Sequence, residues 1–406
     1  MSVPKLRFKE FDGNWSEISF QDLFIFKNGV NASKEQYGSG IKFINVLDII
    51  NNPNGITYNS IIGSVDITSK EIEKNLVKYG DVLFQRSSET REEVGQSNVY
   101  LGKDPVVFGG FVIRGSAQKE YDPIFMNGLL KTDSLRDQIT QLSGGSTRFN
   151  IGQDSLNKVS AYLPLKEEQT QIASFLSAVD EKISQLTQKH ELLSQYKQGM
   201  MQKLFSQQIR FKADDGSEFG EWEDGSLGDI TAIQGGYAFK SNSFGKGATK
   251  VLRIGDIRNN IFLDCFDGVN SDEIPDARYL VSNDAIVMAL SGATFGKLGK
   301  VKIGSAYINQ RVATFKVNEK TTNEYVYQIM LSKDFFNYIQ SIPSASAQPN
   351  ISNQDVLNFE MLIPCLEEQT KIANFLSAID QKIEVVARQL EQAKQWKKGL
   401  LQQMFV

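Results

Sequence analysis

The sequence predicts an α+β protein: two globular domains separated by two long antiparallel coiled-coil helices, the whole built as a pseudo-twofold internal repeat. Three observations predict this. A helical segment recurs at a spacing of 200 residues, both copies carry a heptad seam, and the text before each copy turns to short β-branched and aromatic runs.

Length and composition come first. At 406 residues the chain exceeds a usual single domain of roughly 100–200 residues, so two or more are expected. A hydrophobic content of 41% with 23% charged residues is that of folded globular protein. The opening MSVPKLRFKEFDGNW has no apolar h-region, and no run approaches the ~18 apolar residues of a membrane span. A cytoplasmic protein without membrane attachment is therefore expected. Cys265 and Cys365 are the only cysteines and His190 the only histidine. Those counts argue against a disulfide framework, a zinc or iron site and a histidine-based triad.

The repeat fixes the architecture. LPLKEEQTQIASFLSAVDEKI from Leu163 recurs as IPCLEEQTKIANFLSAIDQKI from Ile363, and 13 of the 17 residues from 167 to 183 are identical to their counterparts. The register holds without a gap as far as YKQGMMQKLF (196–205) facing WKKGLLQQMF (396–405). An element that tolerates no change of length reads as a spacer or a docking rod. Elsewhere the echo is faint: Arg7-Phe8-Lys9 with Arg210-Phe211-Lys212, Trp15 with Trp222, Asp48-Ile49 with Asp256-Ile257.

Alternate steps of four and three define the seam. The first copy gives Ile172, Leu176, Val179, Ile183, Leu186, His190, Leu193, Lys197, Met200 and Leu204, eight of ten apolar. The second gives Ile372, Leu376, Ile379, Ile383, Val386, Leu390, Ala393, Lys397, Leu400 and Met404, nine of ten apolar. Pro164 and Pro364 precede the helices, with Glu167-Glu168 and Glu367-Glu368 in the first turns and lysines near the ends, which suits the macrodipole. About 39 residues make a rod of roughly 58 Å, longer than one DNA turn of ~34 Å. His190 is expected to pack in the seam. Lys197 and Lys397, beside Tyr196 and Trp396, are expected to mark a splay of the helices or a partner contact.

The intervening segments contain IKFINVLDI, DVLFQRS, VVFGGFVIR, TKVLRIGDI, DAIVMAL and ATFKV, read as short strands joined by loops, with a helix over 324–340. The boundaries are 1–164 for the first domain, 165–206 for the first helical region, 207–364 for the second domain and 365–406 for the second helical region. A formal net charge of −4 does not announce a nucleic-acid binder. Loop residues with hydrogen-bonding forks are nevertheless candidates for base and phosphate contact. In the first domain these are Arg86, Ser87, Arg91, Arg114, Ser146, Thr147, Arg148 and Asn150. In the second they are Lys240, Ser291, Thr294, Lys297, Gln310, Arg311, Gln348 and Asn350. Thr147, Arg148 and Asn150 precede the first helix as Ala347, Gln348 and Asn350 precede the second, with different side chains at the first two matched places.

The paired LPxxEEQ-like helix starts, the IAxFLSAxDxKI stretch and the late KxG before apolar residues follow two divergent domains. Together they resemble the specificity subunit of type I restriction-modification systems. The resemblance implies that each domain is a target recognition domain reading one half of a bipartite, asymmetric double-stranded DNA target. It implies that the helices set the spacer and dock two methyltransferase subunits, to which restriction-translocase subunits add. The chain itself would be non-catalytic and need no cofactor, with S-adenosylmethionine, ATP and magnesium belonging to the partners. No Asp/Asn-Pro-Pro-Tyr/Phe methyltransferase signature occurs, and Gly292-Ala-Thr-Phe-Gly-Lys297 is one residue short of a phosphate loop and lacks its Ser or Thr. The competing readings are a coiled-coil scaffold that binds only proteins, which the weak acidity favours, and a divalent-metal nuclease or other enzyme, for which no clustered acidic motif appears.

Overall fold

The computed structural model describes residues 3–342 and 350–406. Two compact units emerge, one of residues 1–188 with 387–406 and one of residues 189–386. Each therefore holds one globular domain together with part of both long helices. Those helices run over Lys166–Phe205 and Leu366–Met404, close to the expected bounds.

The seam is where the heptads put it. Ile172, Leu176, Val179 and Leu186 are buried in the first helix, and Ile372, Leu376, Ile379 and Val386 in the second. Asp180, early in the first helix, pairs with Lys397, late in the second. Conversely Lys197 meets Asp380 at 2.7 Å. Early-to-late contacts in both directions are the pattern of antiparallel pairing. They also correct the reading of Lys197 and Lys397 as a splay point: both ammonium groups close cross-helix ion pairs with aspartates of the repeated SAxD sequence. Near Lys397, Lys131 donates to Asn127 Oδ1 at 2.9 Å. Burial and the charge of Lys397, opposed by Asp180, push Lys131 down to about 7. The second copy has Leu331 at that place.

The globular domains share one topology despite their faint sequence likeness. In the first, an antiparallel sheet runs in the order Phe24–Asn28, Val112–Ala117, Val82–Gln85, Ser97–Val99. In the second the order is Thr231–Gly235, Val312–Val317, Ile286–Ala289, Leu298–Ile303, with Asn260–Phe262 added in parallel at the edge. A second sheet centres on Tyr37–Ile44 in one domain and Phe244–Leu252 in the other, each with a parallel neighbour, Val107–Phe108 or Ala306–Ile308. A two-stranded ribbon leads into each long helix, Ser16–Ser19 against Ser160–Leu163 and Glu223–Ser226 against Glu360–Ile363.

Local chemistry departs from the expected elements at several places, and two of them show why. IKFINVLDI is not one strand, because Asn45 caps a helix over Val46–Asn51 and Asp48 reaches back to the Asn45 amide at 2.8 Å. The helix expected over 324–340 is two, Asn323–Met330 and Lys333–Ser341, since Ser332 accepts from the Phe335 amide and starts a second helix.

The second glutamate of each EEQ sequence ties its domain to its helix. Glu168 takes both Arg7 Nε and Arg7 Nη2 at 2.7 Å, with Trp15 Nε1 donating at 3.3 Å. Glu368 takes Arg210 Nε at 3.1 Å and Nη2 at 2.8 Å, and Trp222 Nε1 at 2.9 Å. The faint echoes at Arg7/Arg210 and Trp15/Trp222 are thus one anchor built twice. These glutamates sit in a buried ion pair as well as at the positive end of the helix. The adjacent Gln169 and Gln369 donate to the carbonyls of Pro164 and Pro364, fixing the helix entry.

Candidate nucleic-acid interface

Three segments of the first domain meet edge to edge. The Arg86 amide donates to Phe111 O at 2.9 Å, and the Ile151 amide to Arg86 O at 2.9 Å. Ser87–Ser88 pairs with Phe149–Asn150, placing Asn150 opposite Ser87. The second domain repeats this lattice. There the Leu290 amide donates to Arg311 O at 2.9 Å, the Ile351 amide donates to Leu290 O at 3.0 Å, and Ser291 bridges Asn350.

Glycine makes the close crossing possible. A Cβ on Gly29 would come 2.3 Å from Gly109 O, and one on Gly236 2.0 Å from Asn309 O. Only a residue without Cβ lets this segment cross the turns at 109–112 and 309–312. Gly145, at φ 120°, turns the chain before Ser146, Thr147 and Arg148, where a Cβ would meet Arg148 O at 2.1 Å.

These lattices gather most of the candidate residues. Arg86, Arg91, Arg148 and Asn150 are exposed around half-buried Ser87, and Ser146 and Thr147 are exposed on the adjoining turn. Arg91 lies over the Phe149 ring at 5.9 Å and Arg148 over the Phe111 ring at 5.9 Å, so two cations are held by aromatic faces. In the second domain Ser291, Gln310, Arg311 and Asn350 come together, with Arg311 Nη1 donating to Asn350 Oδ1 at 3.3 Å. Lys240 is exposed on the neighbouring segment, three residues beyond Tyr237, which bridges Asn309. Gln348, like Ala347, lies outside the described residues.

Three candidates stand apart. Arg114 is corrected: it lies on the strand Val112–Ala117 with 14% of its side chain exposed, 3.7 Å from Asp81 and over the Phe108 ring. Its guanidinium fills the domain interior, where burial holds its pKa below the usual value. Thr294 is also corrected, since its hydroxyl is buried with no partner among the described residues, in the turn Gly292–Thr294, and offers no donor to the outside. Lys297 is exposed after that turn, at the start of the next strand.

Sequence reasoning missed an apolar component. Phe111 is 62% exposed beside a cleft of about 460 Å³ lined in part by Tyr37, Phe43, Leu47 and Ile62. The only sequence signal was an aromatic following Gly109-Gly110 inside an apolar run, which reads equally well as core.

Known proteins share this plan. The family model described as the type I restriction modification DNA specificity domain matches twice, over residues 12–195 and 220–395. The MjaVIII specificity subunit of Methanocaldococcus jannaschii is 29% identical over 354 residues, covering 83% of this chain and 80% of its own length. The EcoKI specificity subunit of Escherichia coli K12 is 23% identical, covering 79% and 74%. Among solved structures, the type I restriction-modification S subunit from M. genitalium aligns at a TM-score of 0.60 and 18% identity. That alignment covers 100% of this chain and 99% of that one, and supports the common fold. With two copies of the specificity domain spanning most of its length, the chain belongs to the type I restriction-modification DNA specificity family.

Proposed function

We propose that this chain is the non-catalytic, DNA-sequence-reading subunit of a type I restriction-modification complex. Residues 1–164 and 207–364 are its two target recognition domains, each reading one half of a bipartite target. The observation that carries this reading is the doubled lattice: one backbone frame presents Arg86, Ser87, Arg148 and Asn150 in one domain and Ser291, Gln310, Arg311 and Asn350 in the other. A fixed frame that keeps Ser87/Ser291 and Asn150/Asn350 and changes the side chains beside them, Arg86 to Leu290 and Gly110-Phe111 to Gln310-Arg311, is what two readers of different bases require.

The helical regions 165–206 and 365–406 set the spacer and dock two methyltransferase subunits, which carry S-adenosylmethionine. Restriction-translocase subunits bring ATP and magnesium. Tyr196 and Trp396, 52% and 54% exposed at matched positions, support docking of the same partner twice. The complex works on DNA in the cytoplasm. No helix among the described residues is long and apolar enough to cross a membrane.

A protein-binding scaffold is the competing reading, favoured by the net charge of −4. Gel shifts of the chain alone and with its methyltransferase partner, across a salt series, separate the two. Binding to duplex is expected, with log affinity falling against log salt by about 0.9 for each phosphate contacted. No binding to duplex under either condition would contradict DNA reading.

A further inference from the structure

The two domains share a backbone frame but hold out opposite chemistry at its tip. The turn that is Gly110-Phe111 in the first is Gln310-Arg311 in the second. Phe111 continues an apolar surface on which Leu47 and Ile62 are exposed, Ile62 at 92%. Counting back from the matched Asp48-Ile49 and Asp256-Ile257, the place of Leu47 is taken by Gly255 and that of Asn45 by Arg253. The place of Leu47 thus carries no apolar side chain in the second domain; Tyr237, Phe239 and Phe244 cluster on the neighbouring segments, but the tip itself is the Arg311 fork steadied by Asn350 at 3.3 Å.

We propose that this turn reads bases in both domains and that its side chains set the composition of each half-site. The first domain reads thymine through its 5-methyl group on Phe111 and the apolar cleft, and the second reads guanine through Arg311. The proposal rests on the DNA-reading function above. The thymine methyl is the apolar group that a base pair offers in the major groove, and guanine O6 with N7 is the acceptor pair matched to a guanidinium fork. A guanidinium already oriented by Asn350 loses less freedom on meeting that pair. Arg86 donates to Gly110 O in the cleft wall at 3.4 Å and Arg148 lies over the Phe111 ring at 5.9 Å, two cations suited to the phosphates on either side of a base. That surround favours nucleic acid over a protein partner as the occupant.

The test uses the complex of the full chain with its methyltransferase subunits and duplexes bearing the motif it modifies. Arg311→Ala is expected to lower discrimination at one guanine of one half-site by about 5- to 150-fold, leaving the other half-site unchanged. Arg311→Lys, which keeps the charge and loses the fork, is expected to lose the same discrimination while retaining most of the overall affinity. Replacing thymines one at a time by deoxyuridine removes only the methyl group. One position in the opposite half-site is expected to weaken about fourfold with the unaltered complex and not with Phe111→Ala. Unchanged guanine discrimination in both Arg311 variants overturns the proposal. So does an absent deoxyuridine effect, including the case where Phe111→Ala instead releases a protein subunit. Failure of the unaltered complex to prefer any sequence would overturn the DNA-reading function itself, and the base assignment with it.

Discussion

Phe405→Ala is expected to destabilise the unit containing the first globular domain by about 3–5 kcal/mol, although residue 405 is remote from that domain in sequence. Phe405 is buried, with its ring 5.1 Å from Phe125 and 6.5 Å from Trp15. It shares one core with Phe20, Phe84 and Leu176. Removing the ring leaves a cavity walled by aromatics that cannot collapse onto it, since Phe125 and Trp15 are fixed by a helix and by the Glu168 anchor. Hydrogen exchange measures the effect region by region. Amides of Phe24–Asn28 and Val82–Gln85 are expected to exchange about two to four orders of magnitude faster, while those of Ile286–Ala289 and Val312–Val317 keep their protection. Unchanged protection over the first sheet would contradict this packing.

Glu368→Ala is expected to cost the second unit a similar amount, about 3–5 kcal/mol, through electrostatics instead of packing. The carboxylate is fully buried and neutralises Arg210, whose side chain is 20% exposed. Its removal leaves the Arg210 guanidinium without its counter-charge, held only by Gly220 O at 2.6 Å and Phe219 O at 3.4 Å, and the buried Trp222 N–H without an acceptor, each at a desolvation cost. The double variant Glu368→Leu with Arg210→Leu is expected to recover much of the loss, because only the Trp222 N–H then lacks a partner, at about 1–3 kcal/mol. Denaturant unfolding of both variants checks the pair. Equal stability of the single and double variants would show that the ion pair is not what holds the domain to the helix start.

Much of the frame was legible in the sequence, for a physical reason. A coiled-coil seam is written locally, each apolar residue lying three or four positions from the next, so Ile172 through Leu186 and Ile372 through Val386 announced themselves. The matched segments before each helix were legible too, and Asn150 and Asn350 occupy equivalent bridges to Ser87 and Ser291. The sheets were less legible because their pairings are remote: Tyr37–Ile44 finds its parallel partner only at Val107–Phe108. Arg114 and Arg148 look alike in sequence. One lies on the strand Val112–Ala117 beside Asp81 and the other, in the turn before Phe149, lies over an exposed ring, a difference set by the element each occupies. Phe111 was hidden by the reverse error, an apolar residue in an apolar run that the turn at 109–112 directs outward.

Two independent readers on one helical frame make the central claim, and exchanging one of them tests it most directly. Residues 1–164 would be replaced by the corresponding domain of a relative, keeping Arg7, Trp15 and Phe125, which meet the helices. The exchanged chain is then assembled with its methyltransferase subunits, and the modified DNA motif is mapped. Independent reading predicts that one half of the motif changes while the other half and the spacer stay the same. A motif altered in both halves, or in neither, would contradict it.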